Sequence, residues 1–337
     1  TASNLLTFNR FGALPTRNFQ TGTFDEAPKI SPEEIRTTHS RTRSSCVACT
    51  IGCEHIYTLE NDSGVRLEYE SLFALGSLCG ISDADIILRA SKLCDDLGID
   101  TISVGGTIAF AMECVERGWL NEAWLTFGNG EALLRAIELI GRREGVGDLL
   151  AEGSRRAAEA IGHESIAFAP QVKGLEIPGY EPRALQTMAL GFAVSTRGAD
   201  HNRSGAYEVD FSDNVDRRNV TVDAVRHAID TEDKAALMDS LILCKFLRGV
   251  FEDFYAETAE MLHLVTGWNT SASELRQTAK RIVHAKRKFN LLAGWTPAED
   301  TLPDRFLQSS LPNDPAAALS REQLSAVVTE YHRQRGW

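Results

Sequence analysis

The run Cys46-Val-Ala-Cys49-Thr-Ile-Gly-Cys53 sets three cysteines within eight residues, at C-x2-C-x3-C spacing. Gly52 allows the tight wrap that brings three thiolates to three corners of a cubane cluster, with a fourth ligand supplied from elsewhere in the chain. The order is the reverse of the C-x3-C-x2-C typical of radical S-adenosylmethionine enzymes. Arg41, Arg43 and nearby backbone amides favour thiolates and a reduced cluster. Structural zinc is the competing reading. Cys46, Cys49, Cys53 and His55 offer four ligands within ten residues, although the usual second pair at a distance is missing. Spacing alone leaves iron–sulfur, zinc and no metal open.

The scaffold around this run is long enough for one large domain or two ordinary ones, at 337 residues with 43% apolar residues. Seven cysteines, an odd number, fit a disulfide framework poorly and suit a reducing, cytoplasmic setting. A formal charge of −12 argues against a general nucleic-acid binder. No apolar run reaches the roughly 20 residues of a membrane span, and Thr1-Ala-Ser-Asn4 does not read as a secretory leader. The abrupt start, without an initiator Met, suggests a fragment. Residues 1–30 carry Leu5, Phe8, Phe11, Leu14 and Phe19 without clear period, as expected of a segment crossing another surface.

Helix signals dominate after residue 30. Ser31-Pro32-Glu33-Glu34 predicts a capping box with proline at the first helical position. Ser82 opens a second helix, with Ile86, Ala90, Leu93 and Leu97 on one face and Gly98 as its stop. Further helices are expected at 107–118, 129–142, 147–161, 183–195, 234–247, 252–265, 273–289 (with Ser271 and Glu274 as a capping box) and 320–334. His55–Glu60 and Val65–Tyr69, joined by Asn61-Asp62-Ser63-Gly64, predict one hairpin. The fold class is therefore mainly α, as two helical domains with a small hairpin near the cysteines. A proline- and glycine-rich break over 162–182 marks the boundary, dividing the chain into 1–175 and 176–337.

Several polar groups are candidate site residues. Glu68-Tyr69-Glu70 reads either as a solvated strand end or as functional acid. Asp95-Asp96-Leu-Gly98-Ile-Asp100 keeps three carboxylates at a helix end, where negative charge is unfavourable by about 0.3–1 kcal/mol each. Arg197-Gly-Ala-Asp200-His201-Asn202-Arg203 could bind an anion or move protons. Cys79, Cys94 and Cys114 read as small buried hydrophobes, and Cys244, within Leu241-Ile-Leu-Cys244-Lys-Phe246, reads as core. No phosphate-binding loop, zinc-protease helix or nucleophile elbow is present. Gly145-Val-Gly147 reads as a turn and helix cap, not a dinucleotide loop.

In order along the chain, the motifs resemble the aldehyde ferredoxin oxidoreductase family of tungsten enzymes. They are Gly12-Ala-Leu-Pro-Thr-Arg-Asn-Phe19, the cysteine run, Glu68-Tyr-Glu70, Asp95-x-x-Gly98-Ile-Asp100 and Gly145-x-Gly-Asp148-Leu-Leu-Ala-Glu-Gly153. Lys173-Gly-Leu-Glu176, Pro182-Arg-Ala-Leu185, Arg197-Gly-Ala-Asp-His201, Asp239 through Cys244 and Asp300-Thr-Leu-Pro-Asp-Arg-Phe306 follow.

The resemblance implies the family's second and third domains, with an N-terminal pterin-binding domain missing. It implies Cys46, Cys49 and Cys53 as ligands of a [4Fe-4S] cluster, with Cys244 as the fourth. It implies two pterin-contacting motifs of the form D-x-x-G-L-C/D, one at Asp95, Gly98 and Asp100, the other at Asp239 and Cys244. Ile242 stands where the second has glycine. Glu70 and His201 are implied as the acid and imidazole beside a tungsten or molybdenum bis-pterin centre. The implied reaction takes an aldehyde and water to a carboxylic acid, with electrons passing through the cluster to ferredoxin. Alone, the fragment is expected to be inactive and to lack tungsten. Homodimerisation is also expected to be open to it. A stand-alone iron–sulfur or zinc domain for electron transfer or partner binding is the alternative, and an acyl-CoA or other carbonyl reductase of the same family is a second.

Overall fold

The structure, a computed structural model, describes residues 2–60, 63–213 and 215–337. Among these residues sixteen α-helices and two small antiparallel sheets make a mainly α fold, as expected. The chain forms two compact units, Thr1–Leu185 with Pro303–Ser320, and Gln186–Leu302 with Arg321–Trp337.

Helix starts fall where a side chain satisfies free N–H groups. Ser31 accepts from the Glu34 N–H at the head of the Pro32–Thr38 helix. Asp83, one residue beyond the expected Ser82, caps Ala84–Leu97, and Gly98 ends that helix at φ +67°. Ser271 and Glu274 form the expected reciprocal box on Ala272–Leu292. The helix expected at 234–247 is instead Val222–Ser240. Its first half is rich in charge, which hides a buried stripe of Ala224, Val225 and Ala228. It cannot run on to 247, because Ile242 takes a left-handed φ of +58°.

The expected hairpin is present as Glu54–Thr58 and Gly64–Arg66, with Tyr57 opposite Val65. Asn61 and Asp62 of its predicted turn lie outside the described residues. A third strand, Arg41–Ser44, pairs on the other side with Arg43 opposite His55. It has no apolar member to alternate, so no strand signal marks it. Tyr69, expected in the hairpin, begins the helix Tyr69–Leu75.

In the first unit the N-terminal residues are core. A short helix, Asn4–Arg10, buries Leu5 and Phe8, and Leu14 and Phe19 are fully buried. The ring of Phe8 stacks on Tyr69 at 4.8 Å and meets Tyr180 edge-on at 5.3 Å. Beneath them Thr101–Glu116 is buried along most of its length.

That helix carries Glu113, only 2% exposed. Its carboxylate accepts from Asn18 Nδ2 at 2.7 Å, Arg117 Nη2 at 2.7 Å and Arg305 Nη1 at 2.6 Å. Burial pushes its pKa up, but hydrogen bonds and charge from Arg305, with Asn18 and Arg117, outweigh this and hold it below the usual carboxylate value.

In the second unit Leu237, Met238, Phe254, Tyr255, Leu275 and Ala279 form one apolar cluster. Arg335 ties the last helix, Arg321–Arg335, to Val222–Ser240 through Glu232 at 2.5 Å and Asp233 at 2.6 Å. Gln186–Val194 is buried all round, in keeping with its apolar run from Met188 to Val194. Asp210 accepts from the N–H groups of Thr187 and Met188 and so caps it from another element.

Glu113→Gln leaves Arg305 without its buried counter-charge and is expected to destabilise the protein by about 3 kcal/mol in denaturant unfolding. The depressed folded pKa means the ion-pair contribution is complete above the unfolded carboxylate pKa and is lost as pH falls through the folded value. The difference between wild type and variant should therefore shrink in acid.

Candidate functional site

The three clustered cysteines lie in the first unit, on the loop between the strands Arg41–Ser44 and Glu54–Thr58. Cys46 is exposed, and Cys49 and Cys53 are half-buried. Two left-handed residues shape the loop, Ala48 at φ +60° and Gly52 at φ +57°. Each precedes a cysteine, so the backbone turns back just before Cys49 and just before Cys53. The Ile51 N–H donates to Cys49 Sγ at 3.4 Å, and the Cys49 N–H to the Cys46 carbonyl at 3.0 Å. Arg43 donates through Nε to the Gly52 carbonyl at 2.7 Å and through Nη2 to the Ile51 carbonyl at 2.5 Å.

Among the described residues, no three His, Cys, Asp or Glu side chains gather at metal-binding spacing. The donor chemistry nevertheless suits a thiolate-bound group. Three free thiols stand on one short loop with a cation beside it and an amide already directed at sulfur. His55 faces Arg43 across the sheet, and its Nδ1 is buried without a hydrogen-bond partner. Burial and then Arg41 lower its pKa.

Glu70 lies in the first turn of Tyr69–Leu75 and accepts the Gly179 N–H at 2.9 Å through Oε2. Tyr69 donates to the Gly179 carbonyl at 2.5 Å. Glu70 is thus half-buried and anchored, not a solvated strand end. The Asp95–Asp100 segment is on the surface. Asp100 caps Thr101–Glu116 by accepting from the Ser103 N–H at 2.8 Å, so one carboxylate of that unfavourable helix end belongs to the next helix start. Gly98 has open space where a Cβ would stand, which leaves its backbone approachable.

In the second unit His201 opens the short helix His201–Ser204, capped by Asp200 through the N–H groups of Asn202 and Arg203. Asp200 also pairs with Arg197 at 2.6 Å. The Asn202 amide settles the imidazole tautomer. Arg248 Nη2 donates to Asn202 Oδ1 at 2.8 Å, which turns Nδ2 toward His201 Nε2 at 2.9 Å. Nε2 therefore accepts, and the ring proton sits on Nδ1. Burial lowers the His201 pKa to about 4; Asp200 opposes and Arg248 reinforces this shift. The imidazole is neutral at pH 7.

Asp239, near the end of Val222–Ser240, pairs with Arg203 and, at 2.9 Å, with Lys245. The structure thus links the His201 segment to Asp239 through Arg203. Sequence reasoning singled out Arg203 within its polar cluster but missed Lys245 and Arg248, whose partners Asp239, Glu208 and Asn202 lie too far away along the chain for a local pattern to show. Arg248 also pairs with Glu208 at 3.0 Å. Cys244 is exposed, which corrects its reading as core. Ile242, 93% exposed, holds the left-handed conformation that a glycine would take there. The side chain gains no burial to offset that strain.

The family description "Aldehyde ferredoxin oxidoreductase, domains 2 & 3" matches residues 1–337. The chain is 37% identical over 341 residues to a tungsten-containing aldehyde ferredoxin oxidoreductase of Pyrococcus furiosus. It is 38% identical over 342 residues to one of Thermococcus kodakarensis. In each case the match covers 98% of this chain and 55% of the relative, so the chain spans about half the length of these proteins. Its fold is also similar to the active-site complex of a benzoyl-coenzyme A reductase, with a TM-score of 0.75 and 17% identity, over all of this chain and 56% of the other.

Two expectations follow from this geometry. Ile242→Gly should stabilise the protein by up to about 1 kcal/mol through relief of the left-handed strain, measured by denaturant unfolding. Between the unfolded histidine pKa near 6.5 and the folded value of about 4, the unfolded state binds more protons at His201. Stability should therefore fall as pH drops through that window, and His201→Gln should flatten the slope.

Proposed function

The chain belongs to the aldehyde ferredoxin oxidoreductase family, whose domains 2 and 3 it matches from end to end, and we propose that it supplies the C-terminal part of an enzyme oxidising aldehydes to carboxylic acids. What supports this reading is the anchored Glu70 and the neutral, Nδ1-protonated His201, the two residues that the sequence resemblance implies as acid and imidazole. Aldehyde and water yield carboxylic acid, two protons and two electrons. A tungsten–pterin centre, the type named in the relatives, supplies the oxidising group when bound.

Around that centre the chain's own residues have separate tasks. Glu70 takes a proton from water or from the aldehyde hydrate. His201 offers its Nδ1–H to the carbonyl oxygen, and a neutral imidazole serves for this. Asp95, Gly98, Asp100 and Asp239 would bind the pterins, the open backbone at Gly98 allowing close approach. Cys46, Cys49, Cys53 and Cys244 would hold a [4Fe-4S] cluster, which when bound would supply one-electron transfer with ferredoxin as the acceptor. The N-terminal part of the longer protein supplies the remaining pterin contacts. Seven free cysteines support a reducing cytoplasm as its setting.

Anaerobically prepared protein should contain about four iron and four acid-labile sulfide per chain. One zinc without sulfide would overturn the cluster, and Cys244→Ser should lower or convert it. In the full-length enzyme, Glu70→Gln should abolish turnover with metal content unchanged; retained turnover would refute its role as base.

A further inference from the structure

We propose that Arg43 is the positioning residue of the cysteine loop, fixing its backbone and setting the charge beside the group it holds. Only the second part rests on the iron–sulfur reading above. The geometry separates Arg43 from its neighbour Arg41, which the sequence leaves equivalent. Arg41 stands opposite Tyr57 in the sheet, and its charge acts on Tyr57 and His55. Arg43 instead reaches out of the sheet to two consecutive loop carbonyls, at Ile51 and Gly52.

A planar guanidinium can satisfy two such acceptors at once, where an ammonium cannot reproduce the fork. The two carbonyls flank the left-handed Gly52, and a Cβ there would come within 3.5 Å of Arg43 Nε and 3.3 Å of Ser45 Oγ. The fork and the glycine therefore define one turn, and that turn delivers Cys53. With the Ile51 and Gly52 carbonyls tied to Arg43, the Ile51 amide is left to point at Cys49 Sγ. The same cation favours the more negative, reduced state of a cluster on these thiolates.

The test uses the whole chain with Arg43→Gln and Arg43→Lys. Hydrogen exchange at the Cys49 and Ile51 amides reads the backbone without any metal. Both variants should exchange there at least tenfold faster than wild type, since neither can make the fork. Unchanged exchange in both would overturn the positioning role, whatever the metal content.

The same proteins, reconstituted anaerobically with ferrous iron and sulfide, are then titrated with dithionite, which adds one electron per cluster, and followed by electron paramagnetic resonance. Arg43→Gln should shift the balance about tenfold toward the oxidised cluster, a fall of about 59 mV for one electron. Arg43→Lys, which keeps the charge, should recover most of that fall. An unchanged or raised potential in Arg43→Gln would refute the electrostatic half. Failure of wild type to take up iron and sulfide would refute the cluster reading and, with it, that half, while the exchange result still decides the positioning role.

Discussion

A carboxylate buried without a counter-charge is among the costliest things a protein can contain, and Glu113 is kept from that state by Arg305. Much of the first unit is arranged around this pairing. Asn18 is drawn to the same carboxylate, which holds Arg17, Asn18 and Phe19 in three successive left-handed conformations. The turn sets Phe19 edge-on to Phe306 at 5.3 Å and against Phe73 at 6.1 Å. Phe73 belongs to Tyr69–Leu75, the helix whose first turn presents Glu70. A buried ion pair thus fixes, through two aromatic contacts, the helix from which the proposed base projects.

The chemistry-bearing groups fall into two kinds. Glu70 and His201 are held by hydrogen bonds from neighbouring backbone or amide groups, and burial keeps the His201 imidazole neutral. Cys46, Cys244 and the Asp95–Asp100 segment are at the surface, with Cys49 and Cys53 half-buried beside Cys46, where a bulky group can approach. Ile242 belongs with the second kind. A β-branched residue in a left-handed conformation, with its side chain in solvent, costs free energy that folding does not recover. The backbone there follows the glycine conformation in spite of the side chain.

Periodicity made the long helices legible, because a stripe such as Ile86, Ala90 and Leu93 has no other use. Caps such as Ser271 with Glu274 were readable for the same local reason. The strand Arg41–Ser44 was not, since its place comes from pairing with Glu54–Thr58 and not from its own polar residues. The start of Val222–Ser240 was hidden by charges that pair at a distance, such as Glu232 and Asp233 with Arg335. Of the site, the residue identities were legible and the conformations were not. No local pattern shows that Arg248 orients Asn202 and thereby sets the His201 tautomer. Cys244 looked like core because its neighbours Leu241 and Leu243 are apolar, yet the break at Ile242 turns it outward.

Residues 303–320 pack with the first unit although the second supplies the chain on both sides of them. This order matters on the ribosome. Residues up to Leu185 emerge with Glu113 and Arg117 already made and Arg305 still to come. Arg305 follows residues 186–302 of the second unit in the chain, so the first unit lacks this ion pair until most of the second has been synthesised. Until then a carboxylate meant for the interior has every reason to stay in water. The half-built unit should therefore remain loose, and a chain cut off before Arg305 would be a natural target for quality control.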